Sequence, residues 1–547
     1  MATRVWRRTG SLEAGRVLHR GWARPWRLST APMIGNSGTM AVFEYTTTLP
    51  QPRDEVFAWF TRPGALVRLS PPFSGSVRRE PTDGINIGST AVLGIGAPGA
   101  LGLGVGAAAG VASAMLPLPA WARPEIPWHA RHTRLEPGRS FTDVMDSGPL
   151  ARWEHTHTFE DAAPAGHGAA GTVMRDRIEF ELPLASKLPG DKATAWTEER
   201  FSRELERIFR YREHQLRADL RFHALHSGEP RTVVVSGASG LIGRQVCALL
   251  TGGGHRVLRL VRRPANGPDE IQWDPDSGAL DAEALRGCDA VIHLAGHPIG
   301  GRFTPETKQK ILASRTVATS LLARTLAVLA EDGRQRTLVS ASGIGYYGAS
   351  PHHGSDGLPE GTTPSASSPA PLAEDAPAGD DFLAQVCVAW EDACGHAREA
   401  GVRVVNIRTG LVQSPAGGIL QRFLPLFVAG VGGRLGDDAW QSWIGIDDIA
   451  GLYAFAVLEG GAAGPVNAVA PEPVTARAYA KTLAAVLRRP AAIPVPAFGP
   501  RLLLGEQGAR ELAGADQRVS SAKAESWGYE FRHRTLEAAL RHVLGKA

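Results

Sequence analysis

Three glycines punctuate residues 233–243, which read Val-Val-Val-Ser-Gly-Ala-Ser-Gly-Leu-Ile-Gly. A β-branched run precedes Gly237, and an apolar pattern with helical spacing follows Gly243. In this context Gly237 permits a tight turn, Gly240 lets the backbone approach a pyrophosphate, and Gly243 lets the helix lie close to the strand. The pattern predicts a dinucleotide at the positive N-terminal end of the helix, and a glycine-rich turn without a ligand is the alternative. The predicted contacts are Gly237, Ser239, Gly240, Leu241, Ile242 and Gly243.

The next strand pattern ends in basic residues. Val257–Val261 is followed by Arg262 and Arg263, about twenty residues after the glycines, where such folds place the residue that contacts the adenosine ribose. An acidic residue there binds the 2′-hydroxyl of NAD, whereas a guanidinium suits the 2′-phosphate of NADP. We therefore predict NADP(H) as the cofactor, with Arg262 on the phosphate and Arg263 in support. A solvated basic turn is the alternative, because arginine is abundant in this chain.

Two further buried-strand patterns, 290–293 and 338–342, end in small residues that would let the chain pass close to the cofactor. Ligands collect at the carboxyl ends of such strands in parallel sheets. Two basic residues lie about one turn apart on the helix that follows the first of these strands, and a solvated helix face is their alternative role. The further predicted cofactor contacts are His293, Leu294, Ala295, Gly296, Lys310 and Arg315.

Length and composition limit the class of protein. A chain of 547 residues predicts two or three domains, and a hydrophobic fraction of 43% is ordinary for a globular protein. The net charge of +4 provides no reason to expect a nucleic-acid partner. The 4 cysteines are scattered without C-x-x-C spacing, which favours a reducing compartment over a disulfide framework or zinc site. We predict a cytoplasmic protein, and its oligomeric state stays open.

The N-terminal residues 1–40 are predicted to be a disordered or mis-started extension. Residues 1–32 are Arg-rich, with Glu13 as the sole acidic residue, which resembles a mitochondrial transit peptide. We favour initiation at Met33 or Met40, because an ordered pattern starts just after Met40.

Residues 84–122 carry no charge and are long enough to span a bilayer. They consist mostly of small residues, are interrupted by Pro98 and Pro117, and lack bulky apolar side chains, so such a segment inserts poorly. We predict an apolar loop or lid without stable membrane insertion, and a membrane-associated lipid-transfer module is the alternative.

Residues 41–225 have the pattern of an antiparallel sheet closed by a helix. The stretch 43–49 alternates like a strand, 54–60 is a short helix, and an amphipathic helix covers 198–223. Further strands are predicted at 129–136, 139–147, 152–160 and 171–182. This order predicts a sheet wrapped on a helix, an arrangement that encloses an apolar cavity.

This unit resembles the SRPBCC (START-like, helix-grip) superfamily, through Pro52–Phe60 and the following Leu69–Pro72. The resemblance implies that the unit binds a small hydrophobic ligand. His155 and His157 alternate on one strand and could face a ligand or a metal. Because no third ligand is evident, a solvated strand face is favoured and no metal site is predicted.

A linker at 226–231 leads into a region of alternating strands and helices, which predicts a doubly wound parallel sheet. Another of its strands, 403–408, ends at Thr409-Gly410. Residues 351–371 are rich in Ser, Pro, Ala and Gly, which predicts a disordered surface insertion. The predicted domains are 232–470 for the nucleotide and 471–547 at the C-terminus.

Residues 232–547 resemble the atypical extended short-chain dehydrogenase/reductases, in particular the epimerase-like family with its own C-terminal domain. The resemblance implies a Rossmann sheet with a small C-terminal substrate subdomain and NADP(H) binding, but supplies no substrate. The motifs that carry it are Gly237–Gly243, His293–Gly296, Ser314-Arg315, Ser340–Ser342, Gly345–Gly348, Gly379–Leu383, Trp390-Glu391, Gly417-Gly418, Trp443-Ile444, Ile446–Asp448, Gly464–Asn467 and Ala470-Pro471.

The catalytic residues depart from the pattern of that family. Its standard members use a Tyr-x-x-x-Lys pair, in which the tyrosine moves a proton as hydride transfers. Counting back from Glu391 places Leu383 and Cys387 at the two positions, and neither can perform this chemistry. The usual serine partner falls at Gly343 or Ser342.

The candidate replacements are few. Tyr346 and Tyr347 follow the strand of Ser342, and their alternative role is packing. Asp380 and Asp381 open the next helix, where an N-cap is favoured. The family usually has a histidine where this chain has Gly445, which removes one possible acid or base. The predicted catalytic residues are Ser342, Tyr346 and Tyr347.

Two main functional hypotheses follow. The first is an NADP(H)-dependent oxidoreductase or epimerase acting on an apolar small molecule that the N-terminal domain captures. The second is an NADP(H)-binding sensor or ligand carrier without hydride chemistry, which the missing Tyr–Lys pair favours.

Overall fold

The computed structural model describes residues 40–96, 125–163, 171–182, 191–350, 370–434, 438–490 and 498–547. Two predictions lie wholly or largely outside these residues: the N-terminal extension and the insertion 351–371. The apolar segment 84–122 is described only as far as residue 96, and its residues 90–95 form a strand where the sequence predicted a loop or lid.

The first sheet contains seven antiparallel strands in the order β1-β7-β6-β5-β4-β3-β2. Two short helices, α1 (Arg53–Thr61) and α2 (Ala65–Leu69), follow the first strand. The strands are β1 Ala41–Leu49, β2 Gly75–Arg79, β3 Thr90–Ile95, β4 Ile126–Glu136, β5 Ser140–Ser147, β6 Arg152–Asp161 and β7 Thr172–Glu181. The strands predicted from alternation therefore lie where the sequence placed them, to within a few residues.

Helix α3 (Asp191–Leu225) packs along this sheet. Its buried residues recur with helical spacing, because only one stripe of the helix faces the strands. Phe201, Leu205 and Phe209 pack with Phe43 and Phe180 of the sheet. Other buried residues of the same helix, Leu216 and Leu220, join the cluster around α1. The space between helix and sheet is thus rich in aromatic side chains.

The second sheet has eight strands in the order β11-β10-β9-β8-β12-β13-β14-β18. All neighbours are parallel except β10 and β11. The strands are β8 Thr232–Ser236, β9 Arg256–Val261, β10 Glu270–Asp274, β11 Ala279–Leu280, β12 Ala290–His293, β13 Thr337–Gly343, β14 Arg403–Thr409 and β18 Gly464–Ala468. The predicted Rossmann-like parallel sheet is confirmed, and its strand order reverses direction between β8 and β12.

Helices cover both faces of the second sheet. Successive side chains of a strand point to opposite sides, so each strand packs against helices on both faces. Val233 and Val235 pack with the hydrophobic cluster that includes helix α9 (Ile446–Leu458), whereas Val234 packs with the cluster that includes helix α5 (Pro305–Leu329). The helices are α4 Leu241–Gly252, α5 Pro305–Leu329, α6 Phe382–Asp392, α7 Gly395–Glu399, α8 Gly418–Val428 and α9 Ile446–Leu458. Burial on both faces explains why the strands are almost entirely apolar.

Among the described helices, one that spans Pro305–Asp332 is long and apolar enough to cross a membrane. Its apolar window is 50% buried inside the protein, as expected for a core helix that packs against a sheet. Localisation to the cytoplasm stays a prediction.

The C-terminal region adds two small pairs of strands and four helices. Strand β15 (Leu411–Gln413) pairs with β17 (Trp443–Gly445), and β16 (Trp440–Gln441) pairs with β19 (Val474–Thr475). The helices are α10 Ala476–Leu487, α11 Phe498–Gly508, α12 Ala522–Ser526 and α13 Leu536–Val543.

A buried ionic cluster joins helices α2 and α3, which pack on the first sheet, to helix α9, which packs on the second sheet. Arg68 of α2 donates to Asp219 of α3 at 2.8 Å and lies 2.8 Å from Asp447 of α9. Arg532 donates to the other oxygen of Asp219 at 2.7 Å. The side chains of Arg68 and Asp219 are fully buried, so each charge depends on its partners for compensation.

Candidate functional site

A pocket of about 360 Å³ opens beyond the carboxyl ends of β8 and β12. This is where the strand order reverses, the position at which open α/β sheets bind ligands. Its lining residues are Gly237, Gly240, Leu241, Ile242, Gly243, Leu294, Gly410, Leu411, Val412, Gly418 and Ile419.

The three glycines have separate geometric roles. Gly237 has φ +70°, and a Cβ there would lie 2.8 Å from the backbone nitrogen of Ala295. A Cβ on Gly243 would lie 2.2 Å from the carbonyl oxygen of Gly237, so the helix approaches the loop closely. A Cβ on Gly240 would meet only the Gly237 oxygen, at 3.2 Å. Gly240 therefore leaves space for a ligand, whereas the other two glycines permit the turn and the packing.

The N-terminus of α4 is open to an anion. Gly240 is its N-cap, no described side chain caps it, and its first turn contains no acidic residue. The first backbone N–H groups of a helix have no partner within the helix and carry its positive end. Together with the space at Gly240, they fit a pyrophosphate of a dinucleotide.

The opposite wall of the pocket was not among the predicted cofactor contacts, although the sequence placed Gly410 at the end of a strand. Gly410 follows β14, Leu411 and Val412 belong to β15, and Gly418 begins α8 with φ +70°. The glycine at the end of a parallel strand was a usable signal, since it lies at the same edge of the sheet as Gly237.

The other predicted cofactor contacts, Ser239 and residues 293–296, differ in whether they line the pocket. Ser239 is exposed, Leu294 lines the pocket, and Ala295 and Gly296 continue the chain past Gly237 and Arg315. His293 is fully buried, and its Nδ1 lies 2.6 Å from the hydroxyl of Ser236. Burial and the nearby Arg315 lower the pKa of His293 to about 3. The His293 side chain therefore ties β12 to β8 and does not line the pocket.

The two basic residues of α5 also lie away from the pocket lining. Lys310 is exposed. Arg315 is half-buried, donates to the carbonyl oxygens of His297 and Ile311 at 3.1 and 3.0 Å, and stacks over the ring of Trp390. Because these contacts hold its guanidinium, the structure favours a positioning role beside Gly296.

The two arginines after β9 differ in their hydrogen-bond partners. Arg263 forms a bidentate pair with Glu270, with both distances 2.7 Å. Arg262 is exposed and has no hydrogen bond to the described residues, although its charge helps to lower the pKa of the nearby Asp274. The guanidinium of Arg262 is therefore available to a phosphate, whereas that of Arg263 is already paired.

Ser342 and Tyr347 belong to one buried network at the end of β13. Ser342 donates to Glu391 at 2.8 Å, and Arg408 donates to both carboxylate oxygens of Glu391 at 2.8 and 2.9 Å. Arg408 also donates to the hydroxyl of Tyr347 at 3.1 Å, and Tyr347 donates to Asn467 at 2.7 Å. Burial raises the pKa of Tyr347 to about 12. These contacts favour packing and positioning over proton transfer for both side chains.

Tyr346 differs from its neighbour. It is half-buried, and the guanidinium of Arg408 lies 3.4 Å from the centre of its ring. It is therefore the more accessible of the two phenols.

The positions that correspond to the Tyr–Lys pair lie under the end of β13. Space beside Gly345 is filled by Leu383, and the thiol of Cys387 lies beside Gly343. Burial raises the pKa of Cys387 to about 11, so this thiol stays neutral near pH 7. Asp381 accepts hydrogen bonds from the backbone of Ala384 and Ala349, which agrees with the favoured N-cap role.

The parallel sheet, the glycine loop and the open helix N-terminus together define a dinucleotide-binding α/β protein. Residues 233–468 match the NAD dependent epimerase/dehydratase family, and residues 495–543 match a domain of unknown function, DUF1731. The epimerase family protein Mb2239 of Mycobacterium bovis is 37% identical over 57% of this chain and 97% of its own length. This chain belongs to the NAD dependent epimerase/dehydratase family.

Two solved structures extend the comparison. The nucleoside-diphosphate sugar epimerase from Corynebacterium glutamicum is 32% identical, with a TM-score of 0.67 over 92% of this chain and 90% of its own. Human epimerase family protein SDR39U1 (isoform2), solved with NADPH, is 29% identical over 58% of this chain, with a TM-score of 0.49. The predicted class of cofactor, a nicotinamide dinucleotide, is confirmed at the level of the family.

Proposed function

We propose that this chain binds NADP(H) in the glycine-lined pocket and uses it in an oxidoreduction or epimerisation of a small molecule. The observation that carries the proposal is the open N-terminus of α4 beneath Gly240, at the point where the sheet order reverses. The bound nicotinamide supplies hydride transfer.

Different residues of the chain would contact different parts of the cofactor. Backbone N–H groups at Leu241 and Ile242 would hold the pyrophosphate, and the free guanidinium of Arg262 would pair with the 2′-phosphate. Leu294, Leu411 and Val412 would exclude water from the pocket walls. A phosphate on an NADP ribose carries charge that Arg262 can neutralise, so this residue sets the preference for NADP(H) over NAD(H).

Proton transfer would fall to a group other than the standard pair. Tyr346 is the candidate that stays accessible, whereas Ser342 and Tyr347 hold Glu391 and Asn467 in place. Arg408 over the ring of Tyr346 would stabilise a phenolate when it forms.

The relative from Corynebacterium glutamicum bears the name of a nucleoside-diphosphate sugar epimerase, so sugar nucleotides are the first compounds to test. Capture of an apolar ligand by the helix-grip-like N-terminal domain stays a prediction from resemblance. Aromatic side chains fill much of the space between α3 and the first sheet.

Titration of the untagged chain with NADPH, followed by the fluorescence of the nicotinamide, tests the binding step. Gly240→Val should weaken NADPH binding at least about tenfold, because the added side chain occupies the space for the pyrophosphate. Gly287→Val is the matched control, because Gly287 is exposed and a Cβ there would meet no atom of the described residues within 4 Å. Equal affinity of wild type and Gly240→Val would contradict the proposal.

A second function is favoured by Leu383 and Cys387 in the place of the Tyr–Lys pair. In that case the chain binds NADP(H) as a sensor or ligand carrier, without hydride chemistry. NADPH absorbance with carbonyl compounds tests net oxidoreduction, and chromatography of sugar nucleotides tests epimerisation, which returns the hydride and leaves NADPH absorbance unchanged. Turnover in either assay that Tyr346→Phe abolishes supports the enzyme, and no turnover in both assays supports the carrier.

A further inference from the structure

Four polar side chains meet across three strands inside the first sheet. Asp143 of β5 lies directly opposite His155 of β6, and Asp176 of β7 lies directly opposite His157. Side chains on one face of neighbouring strands are in contact at these positions. The pairing therefore brings two imidazoles and two carboxylates to one place, although the sequence separates the carboxylates from the histidines.

The distances between their ligand atoms are short. Nδ1 of His155 lies 3.5 Å from Asp143, and its Nε2 lies 3.0 Å from Asp176. Nδ1 of His157 lies 2.7 Å from Asp176. Asp143, His155 and His157 each offer one ligand atom, and these three atoms all lie within 4.8 Å of one another.

The cluster lies in the interior, which overturns the expectation of a solvated strand face. His155 and His157 are each only 3% exposed, and Asp176 is 1% exposed. The ring of Phe141 stacks on His157 at 4.2 Å, and Phe209 of α3 lies edge-on to His155. The histidines point towards α3 because they share the face of the buried Phe159 on β6.

Some of the buried polar atoms have no hydrogen-bond partner in the described part of the chain. These atoms are Oδ2 of Asp176 and Nδ1 of His132, whereas Nδ1 of His157 lies 2.7 Å from Oδ1 of Asp176. Buried polar atoms are normally paired, so unpaired atoms at one site indicate a missing ligand.

The charges point to a cation. Two carboxylates, those of Asp143 and Asp176, face one guanidinium, that of Arg212. Burial lowers the pKa of Arg212, whereas the two carboxylates raise it. If both imidazoles are neutral, the two carboxylates exceed the one guanidinium by one negative charge in this buried site, and a bound cation would compensate that charge.

We propose that Asp143, His155 and His157 bind a divalent first-row transition metal of the zinc type. Two imidazoles and a carboxylate are a ligand set that suits such ions. Asp176 contacts the nitrogen of His155 that faces away from Asp143, the position from which a carboxylate orients a metal-binding imidazole. The ion ties β5, β6 and β7 together beneath α3.

The test uses the untagged full-length chain, stripped with a chelator and reloaded with Zn²⁺. We expect one Zn²⁺ ion per chain by mass spectrometry of the metal, and Zn²⁺ affinity at least about tenfold lower in Asp143→Asn and His157→Gln. His129→Gln is the matched control, because His129 is an exposed histidine of the same sheet, and it should bind Zn²⁺ like the wild type.

X-ray absorption at the zinc edge of the wild-type chain keeps the test independent of variant folding. Scattering from imidazole rings supports the proposal, and an all-oxygen shell overturns it. Failure to retain Zn²⁺, or equal Zn²⁺ affinity in Asp143→Asn, His157→Gln and wild type, also overturns it. In those cases a proton on the histidines compensates the extra carboxylate.

Discussion

Gly243 lies so close to Gly237 that a Cβ on Gly243 would be 2.2 Å from the carbonyl oxygen of Gly237. That oxygen also accepts a hydrogen bond from the backbone N–H of Gly240. One carbonyl thus anchors the loop, and the close approach of α4 brings the helix N-terminus to the pocket.

Gly243→Ala should destabilise the protein by about 1–3 kcal/mol, because the methyl group overpacks against backbone that cannot move away. It should also weaken NADPH and NADH binding together, since the loop shifts as a unit. Urea unfolding and nicotinamide fluorescence measure the two effects. Gly240→Ala, with φ −73° and a Cβ contact of 3.2 Å to the Gly237 oxygen instead of 2.2 Å, should change the free energy of unfolding far less. Equal destabilisation by both variants would contradict this assignment.

Arg262→Ala should lower the affinity for NADPH by about 1.5–3 kcal/mol and leave NADH affinity unchanged, because it removes a charged hydrogen bond to the 2′-phosphate alone. Calorimetric titration with each cofactor measures the difference. Arg256→Ala is the control, since Arg256 is an exposed residue at the opposite end of the same strand. Loss of both affinities in Arg262→Ala would show that this residue contacts another part of the dinucleotide.

Arg68→Ala should cost about 3–5 kcal/mol, because it leaves Asp219 and Asp447 as buried carboxylates with one fewer cation. Chemical denaturation at pH 7 measures it. Arg217→Ala, on the same helix as Asp219, removes only a partly exposed pair with Glu213 and should cost at most about 1 kcal/mol. Similar costs for the two variants would mean that the ionic cluster does not stabilise the fold.

The same cluster predicts how wild-type stability depends on pH. Burial alone would raise the pKa of Asp219, but Arg68 and Arg532 outweigh it and lower the pKa below 3.8. A carboxyl whose pKa is lower in the folded state stabilises the protein above its unfolded pKa. Stability should therefore fall as the pH drops below about 4. In Arg68→Ala that loss should be smaller, and an unchanged acid slope would contradict the assignment.

Tyr347→Phe should destabilise the protein by about 1–3 kcal/mol, because Asn467 loses a buried hydrogen-bond donor. Thermal unfolding measures this, and NADPH affinity should remain that of the wild type. Tyr346→Phe is the comparison, and it should leave stability nearly unchanged, since Tyr346 is half-buried. A native stability of Tyr347→Phe combined with lost turnover would return Tyr347 to the catalytic residues.

The Rossmann-like sheet and its nucleotide loop were determined by the sequence itself. Apolar runs bounded by turns predict buried parallel strands, and glycine spacing is a local property of the backbone around Gly237. Alternation likewise located five of the seven strands of the first sheet to within a few residues, whereas β2 and β3 were not predicted. The absence of the Tyr–Lys pair followed from the family resemblance, because Leu383 and Cys387 stand at the two positions.

The partners of the polar side chains were decided by the tertiary structure, because they come from distant parts of the chain. Arg408 binds Glu391 and thereby engages Ser342 in a buried network, which no local spacing indicates. Strand register brings Asp143 to His155, and the packing of α3 buries both histidines. Periodicity shows which residues share a face, but whether that face meets solvent or a helix depends on how the elements pack.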